Sequence, residues 1–131
     1  MSIRVLIVDY DPAVREMLTQ VIGSAHDIQI VGYSTTGPQL IQIVKTLNPQ
    51  VVVIDMPVPH IDTIVAIREI MDLCPLPIVV VCTSATLREP DYSVDATKAG
   101  ALTVVQRPDS VSLPNYESVA RELIGAVRAM S

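Results

Sequence analysis

The chain has 131 residues, half of them apolar, and a net charge of −5 from nine basic and fourteen acidic side chains. This size and composition predict a single domain over residues 1–131, with a hydrophobic core that needs no cross-link. The charge argues against a nucleic-acid surface, and no apolar stretch is long enough to predict a membrane-spanning helix.

Short apolar runs alternate along the chain with amphipathic segments. The runs are rich in Val and Ile, and three of them hardly alternate with polar residues, which is typical of parallel strands covered on both faces. We predict five such strands, over residues 3–8, 28–31, 51–54, 78–81 and 102–105.

Apolar residues recur at helical spacing in the segments that follow each strand. The first helix is predicted to begin at Asp11 and Pro12, because the carboxylate can cap free N–H groups and proline suits the first turn. Asp62 is the predicted cap of the third helix, and Gly100 is the predicted end of the fourth. Five helices are predicted, over residues 14–22, 40–47, 64–71, 93–99 and 116–130, with 84–92 as a polar loop.

Five strands that alternate with five helices predict an α/β fold with one doubly wound parallel sheet and helices on both faces. The common strand order is 2-1-3-4-5, which reverses between strands 1 and 3, and ligands bind at the carboxyl ends of the strands there. Asp9 and Asp55 end these two strands. At about 5 Å and an effective dielectric of about 20, their repulsion is roughly 3 kcal/mol. A divalent cation, a nearby Arg or Lys, or protonation of one acid is expected to offset it.

Four segments carry a family resemblance: IRVLIVDYDPAVREML, VVVIDMPVPHIDT, LPIVVVCTS and GALTVVQRP. In order and spacing they resemble the receiver domains of two-component signalling, and most of all the receiver of the chemotaxis methylesterase. The resemblance implies a flavodoxin-like receiver fold and a phosphoryl acceptor. It also implies magnesium as the cofactor and a histidine kinase or phosphotransfer protein as the partner.

The resemblance assigns the phosphoacceptor and the metal ligands to particular positions. It implies that Asp55 is the phosphoacceptor, and that Asp9, Asp55 and the backbone carbonyl of Pro57 bind magnesium. The second acid of the metal-binding pair falls on Tyr10, however, and a neutral phenol is a poor substitute for a carboxylate ligand. Magnesium binding is therefore expected to be weak or lost.

Two further positions of the resemblance also depart from the family pattern. The Thr or Ser that ends strand 4 falls on Cys82, a weak hydrogen-bond donor, although the neighbouring Thr83 could replace its hydroxyl if the loop were shifted. The Lys that ends strand 5 falls on Arg107, which can bind a carboxylate or phosphoryl group bidentately. One hypothesis is that Arg107 neutralises both Asp55 and Asp9 without metal.

Three functions stay open. In the first, Asp55 takes a phosphoryl group, and the face formed by the fourth helix, fifth strand and fifth helix changes partners. In the second, the chain is a degenerate receiver that acts as a phosphorylation-independent interaction module. The third, a nucleotide-binding protein or enzyme of flavodoxin-like topology, ranks last because the acidic turn after strand 1 would repel phosphate.

Several simpler expectations complete the prediction. The chain is expected to be cytoplasmic, since Cys74 and Cys82 form no metal-ligand or CxxC pattern and no segment resembles a signal peptide. It is expected to be no enzyme, since it carries no effector enzyme. The family's aromatic switch position falls near Val104. The predicted partner face could form a homodimer or dock a partner, with an apolar patch formed by Ile124 of the last helix and by Val111 and Leu113 before it.

Overall fold

The computed structural model describes residues 2–9, 11–57, 60–108 and 114–131. Strands and helices alternate along most of the chain. In chain order they are β1 Ile3–Val8, α1 Pro12–Gly23, β2 Ile28–Ser34, α2 Leu40–Leu47, β3 Val51–Asp55, α3 Ile61–Leu73, β4 Ile78–Cys82, α4 Ser84–Leu87, α5 Pro90–Ala99, β5 Thr103–Gln106 and α6 Tyr116–Met130.

The five strands form one parallel sheet in the order β2-β1-β3-β4-β5. The predicted fold class and strand order are therefore confirmed. The order reverses between β1 and β3, because the chain builds outward from β1 to β2 and then crosses back to the other side of β1. Within the described ranges, none of the helices combines the length and apolar character that crossing a bilayer requires.

The prediction of five helices is wrong, because the described part of the chain contains six. Residues 84–92, predicted as a polar loop, hold α4 and the start of α5. The Thr83 hydroxyl caps α4 by accepting a hydrogen bond from the Thr86 N–H at 3.1 Å, and Pro90 opens α5, where its missing N–H costs little. Helical periodicity misses α4, since a helix of four residues is hardly longer than one turn.

Helix termini follow the sequence in two of three cases. Asp11 caps α1, with its Oδ1 accepting a hydrogen bond from the Ala13 N–H at 2.9 Å. Gly100 ends α5 with a φ of 126°, a conformation that favours glycine. Asp62 does not cap α3 as predicted. It lies in the first turn, where its charge favours the helix dipole, and the cap position is His60, whose side chain makes no capping bond.

His60 instead ties the start of α3 to α5. Its Nε2 lies 2.9 Å from Oδ2 of Asp95, and its ring and that of Tyr92 pack edge to face with the ring centroids 4.5 Å apart. These contacts join the segment that follows β3 to the helix that precedes β5.

The apolar core forms one layer on each face of the sheet. Because side chains alternate along a strand, Val5 and Ile7 of β1 pack with α1 and α6, whereas Leu6 and Val8 pack with α2, α3 and α5. All four side chains are fully buried. Burial on both faces explains why the central strands read as continuous apolar runs.

Candidate functional site

Two carboxylates meet at the carboxyl edge of the sheet, where the strand order reverses. Val8 of β1 lies opposite Ile54 of β3, so the next residues, Asp9 and Asp55, come side by side at the ends of neighbouring strands. Both are buried, with 1% and 4% of their surface exposed. The structure therefore brings together the two acids that the topology placed at this edge.

Asp55 has an arginine partner that arrives from the end of β5. Nε of Arg107 donates to Oδ1 of Asp55 at 3.1 Å, and the arginine side chain is 18% exposed. The backbone N–H of Arg107 donates to the carbonyl of Cys82 at 2.9 Å. This bond extends the pairing of β4 with β5 by one residue and so holds Arg107 at the edge where Asp55 lies.

Asp9 has a different arginine partner, which sequence reasoning missed. Nε of Arg15, in the first turn of α1, donates to Oδ2 of Asp9 at 3.1 Å. The hypothesis that Arg107 neutralises both acids is therefore wrong for Asp9. A signal exists in the sequence, because Arg15 lies six residues after Asp9 and one turn into a helix that begins at the strand end.

An aromatic ring and a hydroxyl hold Arg15 in position. The guanidinium carbon lies 5.0 Å from the ring centroid of Tyr33, a cation–π distance. The Thr19 hydroxyl donates to the Arg15 carbonyl at 2.7 Å and lies 2.7 Å from the Tyr33 hydroxyl. Since the single hydroxyl hydrogen of Thr19 is used on the carbonyl, the Tyr33 hydroxyl is the donor to Thr19. Arg15 thus contacts a carboxylate and an anchored ring.

Burial raises the pKa of both carboxyl groups in spite of the arginines. For Asp55, burial has the largest effect on the pKa; the charge and hydrogen bond of Arg107 oppose it, and the charge of Asp9 adds to it. For Asp9, burial likewise raises the pKa more than the hydrogen bond from Arg15 lowers it. The arginines therefore offset only part of the cost of placing two carboxylates at this edge.

Cys82, the last residue of β4, and Thr83, which follows it, both donate their hydrogen atoms to groups other than Asp55. Cys82 is fully buried, and its Sγ donates to the Val105 carbonyl at 3.9 Å. Burial and the charge of Asp55 raise the pKa of the Cys82 thiol to about 11, so it stays protonated at neutral pH. The Thr83 hydroxyl donates to Oγ1 of Thr86 at 3.0 Å, so its hydrogen is used within α4 and not on Asp55.

A hydroxyl on α3 fixes the end of β3. Thr63 is fully buried, and its Oγ1 donates to the backbone carbonyl of Asp55 at 3.0 Å. The next N–H, of Met56, donates to the Val81 carbonyl of β4 at 2.8 Å. Sequence reasoning missed Thr63 because it lies within an apolar helical pattern; the signal was a hydroxyl on the buried face of the helix.

The oxygen atoms at this edge suit guanidinium groups better than magnesium, which prefers six oxygen ligands in near-octahedral geometry. Asp9 and Asp55 each accept a hydrogen bond from an arginine, and Asp11 caps α1. Across the ranges that the structure describes, no three His, Cys, Asp or Glu side chains are grouped as a metal site requires. Tyr10 lies outside the described residues, and the carbonyl of Pro57 stays a predicted ligand.

The predicted partner face corresponds to α5, β5 and α6. Val94 of α5 and Leu102, just before β5, are exposed apolar residues on or beside it. Val104 of β5 is partly buried against the core. Ile124 is partly buried against the core and lines a groove beside Ala25, just after α1. Val111 and Leu113 lie outside the described residues, so the apolar patch stays a prediction.

A family model and curated proteins match nearly the whole chain. The model of the response regulator receiver domain matches residues 5–113. The chain is 36% identical over 129 residues to protein-glutamate methylesterase/protein-glutamine glutaminase 1 of Syntrophus aciditrophicus and 35% identical over 129 residues to the corresponding protein of Nitrosospira multiformis. Each alignment covers 98% of this chain but only 37% and 36% of the relative, so the chain spans little more than a third of their length.

Solved structures show the same fold. The response regulator domain of Thermotoga maritima CheB superposes with a TM-score of 0.78 at 26% identity, covering 99% of this chain and 96% of that one. A chain from the complex of the CheA3 P1 domain with CheY6 of R. sphaeroides superposes with a TM-score of 0.79 at 20% identity, covering 99% and 98%. At the lower identity the likeness concerns the fold alone.

Proposed function

Since the chain belongs to the response regulator receiver domains of two-component signalling, we propose that Asp55 is its phosphoacceptor. The donor is the phosphohistidine of a histidine kinase or phosphotransfer protein. The observation that carries this proposal is the pairing of Asp55 with Arg107 at the carboxyl edge of the sheet, beside Asp9. This is the edge at which sheets of this topology bind ligands.

The transfer exchanges one bond to phosphorus for another. A carboxylate oxygen of Asp55 bonds to phosphorus while the phosphorus–nitrogen bond of the donor imidazole breaks. The electron pair leaves on the ring nitrogen, which takes up a proton. Arg107, within hydrogen-bond distance of Asp55, offsets the negative charge on the phosphoryl oxygens, and Arg15 lessens the repulsion from Asp9.

Intact mass after incubation with acetyl phosphate tests the acceptor role. The wild-type chain is expected to gain one phosphoryl group, and Asp55→Asn is expected to gain none, because an amide cannot form the acyl phosphate. Asp27→Asn is the matched control, since Asp27 is paired with Arg128 away from the site and its loss should leave uptake unchanged. A gain that persists in Asp55→Asn would refute the proposal.

A second function, a phosphorylation-independent interaction module, is favoured by the two ion pairs. Arg15 and Arg107 compensate the acids without any phosphoryl group, so the site can stay in one charge state. This alternative predicts that the wild-type chain takes up no phosphoryl group from acetyl phosphate with or without magnesium. It also predicts that Asp55→Asn leaves partner binding unchanged.

The relatives support a proposal about the pathway and the location. We propose a role in chemotaxis and a cytoplasmic location, because the curated relatives are protein-glutamate methylesterases and the Thermotoga maritima domain is that of CheB. The face of α5, β5 and α6 is the proposed docking face, for a partner or for a second copy.

A further inference from the structure

We propose that Arg15 and Arg107 take the place of the divalent cation at this site, so that phosphoryl transfer to Asp55 proceeds without magnesium. The inference rests on the proposed function of Asp55 as the acceptor. It assigns to Arg15, a residue of α1, a part in the site that neither the sequence resemblance nor the comparisons give it.

The first argument is the balance of charge. A guanidinium stays protonated throughout the working pH range, so each arginine adds one fixed positive charge. Arg15 lies 3.1 Å from Asp9 and Arg107 lies 3.1 Å from Asp55, so each buried carboxylate has its own counter-charge. Arg107 keeps the positive charge of the Lys that the resemblance places there, and Arg15 adds a second, so the two carboxylates are balanced without a divalent cation. Adding magnesium to these four groups would leave two positive charges, of which the nearby Asp11 carboxylate offsets one, so the partly dehydrated site would hold an excess of positive charge.

The second argument is the position of the two side chains. The backbone of Arg107 is hydrogen-bonded to Cys82 and so is fixed to the sheet. The guanidinium of Arg15 lies over the ring of Tyr33, whose hydroxyl is hydrogen-bonded to Thr19. The arginines therefore reach the acids from the two sides of the β1–β3 pair and are held there before a phosphoryl group arrives. Groups that are ordered in advance need no reorganisation when charge develops.

The third argument is the number of donors. Each arginine uses its Nε on a carboxylate. A guanidinium has two further nitrogens, which can donate to phosphoryl oxygens in the forked geometry that arginine offers. An arginine at this edge can therefore contact a carboxylate and a phosphoryl oxygen from one side chain.

Phosphoryl uptake in the absence of metal is the direct test. Intact mass is followed over time with acetyl phosphate in excess EDTA and in excess magnesium chloride at matched ionic strength. The wild-type chain should be phosphorylated at the same rate in both, and Arg107→Gln should slow uptake in EDTA about a hundredfold. Arg128→Gln is the matched control and should change neither rate. Uptake that requires magnesium would overturn the inference.

Thermal melting tests the same inference without any phosphorylation. The melting temperature of the wild-type chain should not respond to magnesium chloride beyond the effect of ionic strength. The Arg15→Gln/Arg107→Gln double variant should gain a saturable, magnesium-dependent rise, because two uncompensated carboxylates then face each other; Arg15→Gln alone is the milder variant if the double variant folds poorly. A saturable rise in the wild type that Asp9→Asn removes would overturn the inference, as would no rise in either arginine variant.

The two experiments separate this inference from the proposed function. Absence of uptake under every condition would refute the acceptor role of Asp55, and melting would still decide whether the arginines exclude the cation. Uptake that depends on magnesium would keep the acceptor role and refute the replacement of the metal.

Discussion

At the carboxyl edge of the sheet Arg107 donates to a buried Asp55, and at the amino edge Arg128 donates to a partly exposed Asp27. The second pair has the better geometry, with Nε and Nη2 of Arg128 at 2.9 and 2.8 Å from the two carboxylate oxygens. The arginine lowers the pKa of Asp27, whereas the pKa of Asp55 is raised because burial outweighs Arg107. The arginine therefore lowers the aspartate pKa at both edges, but the net shift has opposite signs.

The difference shows that exposure to water, more than the arginine partner, decides the sign of the aspartate's pKa shift. Asp27 is partly exposed, so water already stabilises its ionised form, and the charge of Arg128 stabilises that form further. Asp55 has lost most of its hydration, and a single arginine compensates only part of the free energy lost with it. Arg107 therefore reduces the free-energy cost of burying the Asp55 carboxylate. A site that receives an additional anionic group needs such a positive charge.

Removing Arg107 should have the largest effect. Arg107→Gln leaves Asp55 buried without a counter-charge, and we expect the free energy of unfolding to fall by about 3 kcal/mol at neutral pH, measured by urea denaturation. The Asp55→Asn/Arg107→Gln double variant should lose less, because no uncompensated charge is left. A double variant as unstable as Arg107→Gln would contradict this explanation.

Removing Arg15 should have a smaller effect, because this side chain is 42% exposed and water can partly replace it. We expect Arg15→Gln to lower the free energy of unfolding by about 1 kcal/mol. Tyr33→Phe is the matched control: it keeps the ring under the guanidinium, removes the hydrogen bond to Thr19, and should lose less than Arg15→Gln. A loss as large as that of Arg107→Gln would mean that exposure does not set the size of the effect.

The pH dependence of stability should differ in sign between the two edges. Because the pKa of Asp55 is raised on folding, its contribution is most favourable below the unfolded value of about 4 and is lost as pH rises through the folded pKa. The stability of Asp55→Asn relative to wild type should therefore increase from acid to neutral pH.

Asp27 provides the opposite case in the same urea series. Its lowered pKa gives stability that is present above the unfolded value and is lost as pH falls through the folded one. The stability of Asp27→Asn relative to wild type should therefore decrease from acid to neutral pH. Parallel curves for the two variants would refute the contrast between the edges.

Removing Arg128 should have the smallest effect. Both partners are partly exposed, so Arg128→Gln exchanges a surface ion pair for hydrated groups. The loss in the free energy of unfolding should shrink further as sodium chloride is added, because salt screens exposed charges. The loss in Arg107→Gln should depend less on salt, and equal salt dependence in the two variants would show that the site is as well hydrated as the surface.

Much of this protein followed from local patterns in the sequence. The alternation of strands and helices predicts the sheet order, and the order places Asp9 and Asp55 at one edge without any structure. The family and its likeness to methylesterase receivers, stated from four segments, are confirmed by the matches. These features are open to prediction because the period of burial in a strand or helix is a property of consecutive residues.

The partners of the buried acids were decided only by the tertiary structure. Arg15 meets Asp9 through the position of α1 beside the end of β1, and Thr63 meets the Asp55 carbonyl through the position of α3 beside the end of β3. The spacing of apolar residues reports which face of an element is buried. It does not give the position of one element relative to another, so it does not predict which group a polar side chain on that element contacts. For the same reason the sequence by itself placed two acids together, whereas only the packed chain showed that each acid has an arginine of its own.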